Sequence, residues 1–389
     1  MQFAKRMDKF GVNIFTTLAA MKAERRAKGL PVIDFSVGSP NIPPADFIID
    51  TLVAAAADRK NYEYAIADTT ELRNAVAVWY KRRYGVTLDP DTMVQSLLGS
   101  QDGLGHIALA IADEGDVILV PDPCYPVFSD GPNIAGAEIH YMQMRPENNY
   151  LIDFSEIPDD VADRAKLMIV SYPNNPTTVL APDSWYHELI AFAKKHDIIV
   201  LHDNAYSELV FDGKTTGSFL AFEGAIDVGV EFNSLSKTYG MAGARVGFCV
   251  GNPEVVRMLS LLKSNIDYGM FIPIQKAAVA ALTGDQECVR QTRNAYQCRR
   301  DVLCSEFAKA GWNITPCEAT MFLWPELPAG FTNSTEFVME LLDKTGVVVT
   351  PGSAFGPSGE GHVRMALVRT EEEILAAAEA IKASGILNK

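Results

Sequence analysis

The chain contains no Cys-x-x-Cys pair, no apolar run long enough to cross a bilayer, no stretch of lysine and arginine that would form a phosphate-binding stripe, and no internal repeat. Each absence removes a class of function. The six cysteines, at 124, 249, 288, 298, 304 and 317, sit mostly in apolar or helical surroundings and offer neither a zinc knuckle nor a disulfide framework. Reduced thiols in a cytoplasmic protein fit that usage. The opening segment MQFAKRMDKFG is charged and has no apolar core, so no membrane partner is expected. With 34 basic against 49 acidic residues, a formal charge of −15, nucleic acid is not an expected partner either, and the acidity reads as a solvated surface.

What is present is the balance of a globular protein, 48% hydrophobic and 21% charged, over 389 residues. That is more chain than one core usually organises, so two domains are expected. From Val117 onward β-rich runs alternate with helical segments: VILV at 117–120, AEIHYM at 137–142, LMIVSY at 167–172, IIVLHD at 198–203, VGVEFNS at 228–234 and VGFCVG at 246–251. This is the pattern of an α/β fold whose mostly parallel sheet is covered on both faces. A helix over Ser184–Lys195 is announced by Pro182 and Asp183. The last third reads as a smaller α+β domain, with a helix from Gln286 to Gly311, a strand MFLW, a helix near Ser334–Asp343, strands VVVT and HVRMALV, and a final helix from Thr370. A helix around Pro253–Ile266 bridges the two parts, and the change comes near Pro273. The expected division is an N-terminal arm with part of the small domain at 1–45, a large domain at 46–270 and a small C-terminal domain at 271–389. Lys5–Lys28 is amphipathic enough to form a helix on the small domain or on a partner.

Chemistry concentrates at Asn233-Ser234-Leu235-Ser236-Lys237-Thr238-Tyr239-Gly240, which begins as a strand runs out, the place where open α/β sheets bind ligands. Two serines and Arg245, eight residues past Lys237, supply phosphate donors, while a partly desolvated lysine near another cation can act as nucleophile or base. On its own Ser-x-Ser-Lys is also a common solvated turn. Upstream, Asp203-Asn204-Ala205-Tyr206 ends another strand, where a carboxylate can pair with a protonated ring nitrogen or simply cap the next helix. One strand earlier, Ser171-Tyr172-Pro173-Asn174-Asn175-Pro176-Thr177 places an amide at the sheet edge. Gly99-Ser100-Gln101-Asp102-Gly103 opens an apolar helix whose free N–H groups form an anion site, and Tyr125 follows a strand where it can stack on a flat ring.

This ordered set resembles the class I/II aminotransferases of pyridoxal-phosphate (PLP) fold type I, from Phe35-Ser36-Val37-Gly38 to Val363-Arg364-Met365-Ala366-Leu367. The resemblance implies a large domain with a mostly parallel seven-stranded sheet between helices. It also implies that Lys237 carries pyridoxal 5'-phosphate as a Schiff base, that Asp203 pairs with the ring nitrogen, and that Asn175 and Tyr206 bond the ring oxygen. Ser100, Gln101, Ser234, Ser236 and Arg245 would hold the phosphate, with Tyr125 stacked on the ring. Arg364 would take the substrate α-carboxylate, with Gly38 close by and Arg369 as the other arginine in reach. A tyrosine from a second subunit reaches the phosphate in this family; Tyr64 matches it and Tyr62 is the alternative, so a homodimer is expected. The implied reaction moves an amino group from an L-amino acid to a 2-oxo acid by a ping-pong route.

Two rivals differ in kind. Gly103-Leu104-Gly105-His106-Ile107-Ala108 matches the G-x-G-x-x-A form of a dinucleotide fingerprint, with Asp122 about 20 residues on, where a ribose-binding acid belongs. Against it, Gly103 comes several residues after a strand that ends near Leu98, past the tight turn at Gly99-Ser100. C–S lyases and other fold type I enzymes share the cofactor residues, so a lyase is the alternative outcome. Glu71-Leu72-Arg73 and the segment Thr350–Gly361 are similar to LL-diaminopimelate and alanine-type aminotransferases. Gln101 stands where the diaminopimelate enzymes usually carry lysine, and Ser39 where asparagine or glutamate is typical, which leaves alanine and other small amino acids open as substrates.

Overall fold

Valine, isoleucine and leucine dominate the runs between Val117 and Gly251, where successive side chains of a strand must point to opposite faces. When both faces are apolar, both must be covered. The computed structural model, which describes residues 2–10 and 14–388, realises this arrangement. Its strands are β1 (Ile33–Asp34), β2 (Val94–Leu97), β3 (Val117–Asp122), β4 (Glu138–Gln143), β5 (Ala165–Val170), β6 (Ile199–Asp203), β7 (Gly229–Ser234), β8 (Gly247–Gly251), β9 (Phe322–Leu323), β10 (Val347–Val348), β11 (Thr350–Pro351) and β12 (Val363–Ala366).

Seven of them form one sheet in the order β2-β8-β7-β6-β5-β3-β4, in which β8 alone runs against its neighbours. The mostly parallel seven-stranded sheet expected from the sequence is therefore found. Val117, Leu119, Met168, Val170 and Val200 pack into the apolar cluster on one face. Their neighbours Ile118, Val120, Leu167, Ile169 and Leu201 pack into the cluster on the other. Helices cover both faces, and where Val127–Ala135 crosses Ser100–Ile111 a Cβ on Gly131 would lie 2.3 Å from the Leu104 carbonyl oxygen, so only glycine permits the approach. Among the described residues no helix is long and apolar enough to cross a membrane.

A second, smaller group of strands carries the C-terminal part. β11, β12 and β9 make an antiparallel sheet, and β10 pairs in parallel with β1 from the N-terminal region. The segment read as one strand VVVT is thus divided: Val347 and Val348 pair with β1, while Thr350 turns to Arg364 of β12. The chain changes partner across Val349, a step that local β-propensity does not encode. The helix that contains Pro273, Ile272–Thr283, packs on helices Asp46–Ala57 and Thr70–Tyr84 and contributes Ala277, Ala278 and Ala281 to the cluster of the large sheet. The following helix, Glu287–Lys309, gives Val289 to that cluster and Tyr296, Leu303 and Phe307 to the smaller one. The helix expected over Lys5–Lys28 is met by a 3-10 turn at Lys5–Lys9 and an α-helix at Ile14–Ala27; residues 11–13 lie outside the described ones.

One buried ion pair bears directly on the site. Lys263, on the bridging helix Pro253–Ile266, places its Nζ 2.6 Å from Asp102 Oδ2 and 2.9 Å from Asp267 Oδ1. The same Asp102 oxygen accepts from the Leu98 amide at 2.8 Å. Asp102 therefore joins three things: the end of β2, the first turn of helix Ser100–Ile111 and a buried cation. The glycine turn between strand and helix is held from below.

Candidate active site

The tight turn at Gly99 leads from β2 into the helix beginning at Ser100, and Gly99 caps that helix without a side chain. The first-turn amides are thus left to an anion. Arg245 lies against this turn: a Cβ on Gly99, where φ is +79°, would sit 2.5 Å from its Nη2. Arg245 itself has φ +57°, a left-handed conformation that costs a non-glycine residue roughly 1–2 kcal/mol. Ser234, the last residue of β7, accepts at Oγ from the Ser236 amide at 3.1 Å and donates to the Val246 carbonyl at 3.3 Å. That turn delivers Ser236 and Lys237 to the same corner.

Neighbouring strand ends contribute the rest. Asp203 closes β6, and Ser171 beyond β5 donates its hydroxyl to the Asp203 carbonyl at 2.9 Å. Asn174 shapes the next turn by accepting from the Thr177 amide and hydroxyl at 3.0 and 2.8 Å, which presents Asn175 to the sheet edge. Tyr125 follows β3 and donates to Gln101 Oε1 at 3.3 Å. Asp203, Ser171, Asn175, Tyr125 and Gln101 line a cavity of about 430 Å³ with Gly38, Ser100, Tyr206, Ser234, Ser236, Lys237, Arg245 and Arg364. Every candidate read from the sequence lines it except Tyr64. That residue is 83% exposed, edge-on to Tyr268 at 5.7 Å, and Tyr62 is 64% exposed, edge-on to Phe271 at 5.2 Å.

The electrostatics of the cavity are unusual in four places. Asp203 is buried, and its Oδ1 has no hydrogen-bond partner among the described residues. Burial pushes its carboxyl up to about 7. Lys237 donates to the Gly38 carbonyl at 2.9 Å; burial first, then the nearby Arg364 and Arg245, bring its amine down to about 8. Burial also drives the Tyr206 phenol far above its usual range, so it keeps its proton.

Arg364 is buried, and burial lowers it to about 10, still charged at neutral pH. Its Nη1 donates to Asn175 Oδ1 at 3.0 Å and its Nη2 to the Ser36 carbonyl at 3.1 Å. The guanidinium lies over the rings of Phe322 and Phe355 at 4.2 and 4.6 Å. No acidic group pairs with it among the described residues. Arg369, the competing arginine, donates to the Asp34 carbonyl and pairs with Glu373 outside the cavity.

Lining residues such as Pro40 and Phe322 had no local signal. Val37, Ser39 and Pro40 form one wall, and Phe322, on the short strand β9, packs so closely that a Cβ on Gly38 would be 2.6 Å from its ring. The dinucleotide-like pattern has a different explanation. Gly103 lies inside helix Ser100–Ile111, where a Cβ would meet Phe232 and Leu97 at 2.6 and 2.7 Å, so this glycine serves packing.

Comparison with known proteins agrees with this geometry. The profile of the family described as aminotransferase class I and II matches residues 31–381. An LL-diaminopimelate aminotransferase of Dehalococcoides mccartyi is 44% identical over 375 residues, 96% of each chain. The substrate-bound structure of BacF from Bacillus subtilis superposes with a TM-score of 0.95 at 35% identity, covering 98% of both chains. A probable N-succinyldiaminopimelate aminotransferase from Thermus thermophilus gives a TM-score of 0.90 at 35% identity, over 95% of this chain and all of that one. The strand-end series from Ser100 to Arg245, the carboxylate-free setting of Arg364 and these full-length likenesses converge: the chain belongs to the class I and II aminotransferase family and is a transaminase.

Proposed function

We propose that this aminotransferase works with pyridoxal 5'-phosphate held at Lys237, and that it exchanges amino groups between an L-amino acid bound through Arg364 and a 2-oxo acid. The observation that carries the reading is the unpartnered buried oxygen of Asp203 in one cavity with the lowered amine of Lys237 and the donor cluster around Ser100 and Arg245. A phosphate, a basic ring nitrogen and an aldehyde each find a complement there, so the donor set fits the cofactor. Bound in this cavity, it would act as an electron sink for the charge left on the substrate α-carbon.

The chain's own residues then divide the work. The first-turn amides of Ser100 and Gln101, the hydroxyls of Ser234 and Ser236, and Arg245 would fix the phosphate. Asp203, set in low dielectric, would keep a ring nitrogen protonated, and Asn175 and Tyr206 would donate to the ring oxygen. Tyr125 would stack on the ring. Arg364 would match the substrate carboxylate with its fork, beside Gly38. Lys237, once free, would lift the Cα proton at Nζ and return it nearby, a general acid–base role worth roughly 10²–10⁴ in rate.

The relatives named as LL-diaminopimelate aminotransferases support that diamino acid as donor, with alanine and other small amino acids as further candidates. Purified enzyme given LL-diaminopimelate, alanine, aspartate, methionine or phenylalanine with 2-oxoglutarate or pyruvate is expected to transfer nitrogen to the 2-oxo acid, fastest from LL-diaminopimelate, with parallel double-reciprocal lines. Release of ammonia without any acceptor would count against transamination, and a faster alanine reaction against the substrate reading.

The pH dependence of cofactor capture follows from Lys237. Only the neutral amine attacks an aldehyde, and an amine brought down to about 8 becomes neutral through that pH. Covalent uptake by apoenzyme should therefore rise through about pH 8 and level off above it. In Arg364→Ala the midpoint should move upward, because one of the charges disfavouring the protonated amine is gone. A midpoint at the ordinary lysine value would contradict the assignment.

We further propose a homodimer in a reducing, cytoplasmic setting, consistent with six unpaired cysteines. Tyr62, Tyr64, Ile66, Tyr268 and Phe271 expose an aromatic face outside the chain's own cavity, and Tyr64 would reach the phosphate of a second copy. Sedimentation at assay concentration should give a dimer, and Tyr64→Phe should loosen cofactor retention in equilibrium dialysis. A fully active monomer would overturn this.

A further inference from the structure

Asp122 is a buried carboxylate at the end of β3, in the large sheet, yet its side-chain partner comes from a loop of the small one. It accepts from the Ser358 amide at 3.2 Å and from the Ser358 hydroxyl at 2.8 Å. Ser358 belongs to the loop that joins β11 to β12. That loop is folded tightly on itself: a Cβ on Gly352 would lie 1.9 Å from the Gly359 carbonyl oxygen, and one on Gly359 2.2 Å from that of Gly352. Its tip presses on the same carboxylate, since a Cβ on Gly356, where φ is +124°, would be 2.0 Å from Asp122 Oδ1. Two further ties cross between the same parts. The Cys124 amide donates to the Phe355 carbonyl at 2.8 Å, and the Tyr150 hydroxyl meets His362 Nε2 at 3.0 Å, with His362 stacked on Trp324.

What this loop presents to the site is Phe355. Its ring lies under the Arg364 guanidinium, and Arg364 has no acidic group to orient it. The fork is aimed instead by two aromatic rings, Asn175 and the Ser36 carbonyl. Phe322 is carried by the strand next to Arg364, but Phe355 is placed by a loop whose outer anchor is Asp122.

We propose that Asp122 is a positioning residue for the substrate α-carboxylate: by clamping Ser358 it holds Phe355 against Arg364 and sets the direction of the guanidinium fork. The proposal rests on Arg364 being the carboxylate site. Bidentate recognition is sensitive to direction, and a displacement of about 1 Å costs up to roughly 10²-fold. Because the carboxylate is held in ground and transition states alike, its misalignment is read in KM and not in kcat.

The test uses holoenzyme variants Asp122→Ala and Ser358→Ala, assayed with an L-amino acid and with an amine of the same side chain lacking the carboxylate. Asp122→Ala should raise KM for the amino acid by about 10- to 100-fold with kcat little changed. Cofactor absorbance and slow turnover of the amine should stay as in the parent. Ser358→Ala, which removes only the hydroxyl donor, should shift KM the same way by less, and keeps the proposal testable should Asp122→Ala fail to fold. In an Arg364→Ala background neither change should add a further penalty. Equal losses with the amine, a fall in kcat at unchanged KM, or penalties that multiply with Arg364→Ala would each overturn the clamp while leaving the carboxylate reading intact. An unchanged KM in Arg364→Ala alone would remove that reading, and the clamp with it.

Discussion

Burying the Asp203 carboxylate while one of its oxygens lacks a donor opposes folding, and the rest of the structure can be read as what holds it in place. It sits at the end of a strand flanked by β5 and β7, with apolar clusters on both faces of the sheet. No protein group supplies the missing donor among the described residues. A close-packed parallel sheet tolerates this where a surface loop would swing the group into solvent. The cost is local, and the surrounding burial is extensive enough to offset it.

The same low dielectric governs the cations. Lys237, Arg245 and Arg364 share one cavity with Asp203, and their mutual repulsion adds to burial in making Lys237 easier to deprotonate. Arg364 escapes that fate because a guanidinium gives up its proton far less readily, and because two rings and two oxygen acceptors receive it. One cavity thus holds an amine poised to react and a fixed cation that recognises. The difference lies in side-chain chemistry under a common field.

Much of this was legible in the sequence because it is local. Lys237, Asp203 and Asn175 each follow a recognisable apolar run, and a parallel sheet brings consecutive strand ends to one edge. What was illegible depends on contacts between distant segments. Phe322 and Phe355 were given no role; they matter because β9 and the β11–β12 loop close over Arg364. Asp122 was readable as a ribose-binding acid, since its spacing from Gly103 suits that role, whereas its partner Ser358 lies far along the chain in the β11–β12 loop. VVVT scanned as one strand because periodicity does not reveal that the chain changes partner within it. Tyr64 is the limiting case, as its proposed target belongs to a second chain.

The central claim is that Lys237 is the amine to which the cofactor attaches. Borohydride reduction of purified enzyme makes any such attachment permanent, and peptide mapping by mass spectrometry then locates it. The account predicts a phosphopyridoxyl group on Lys237 and on no other lysine. The same group found on a different lysine, or an active enzyme that carries none, would contradict it.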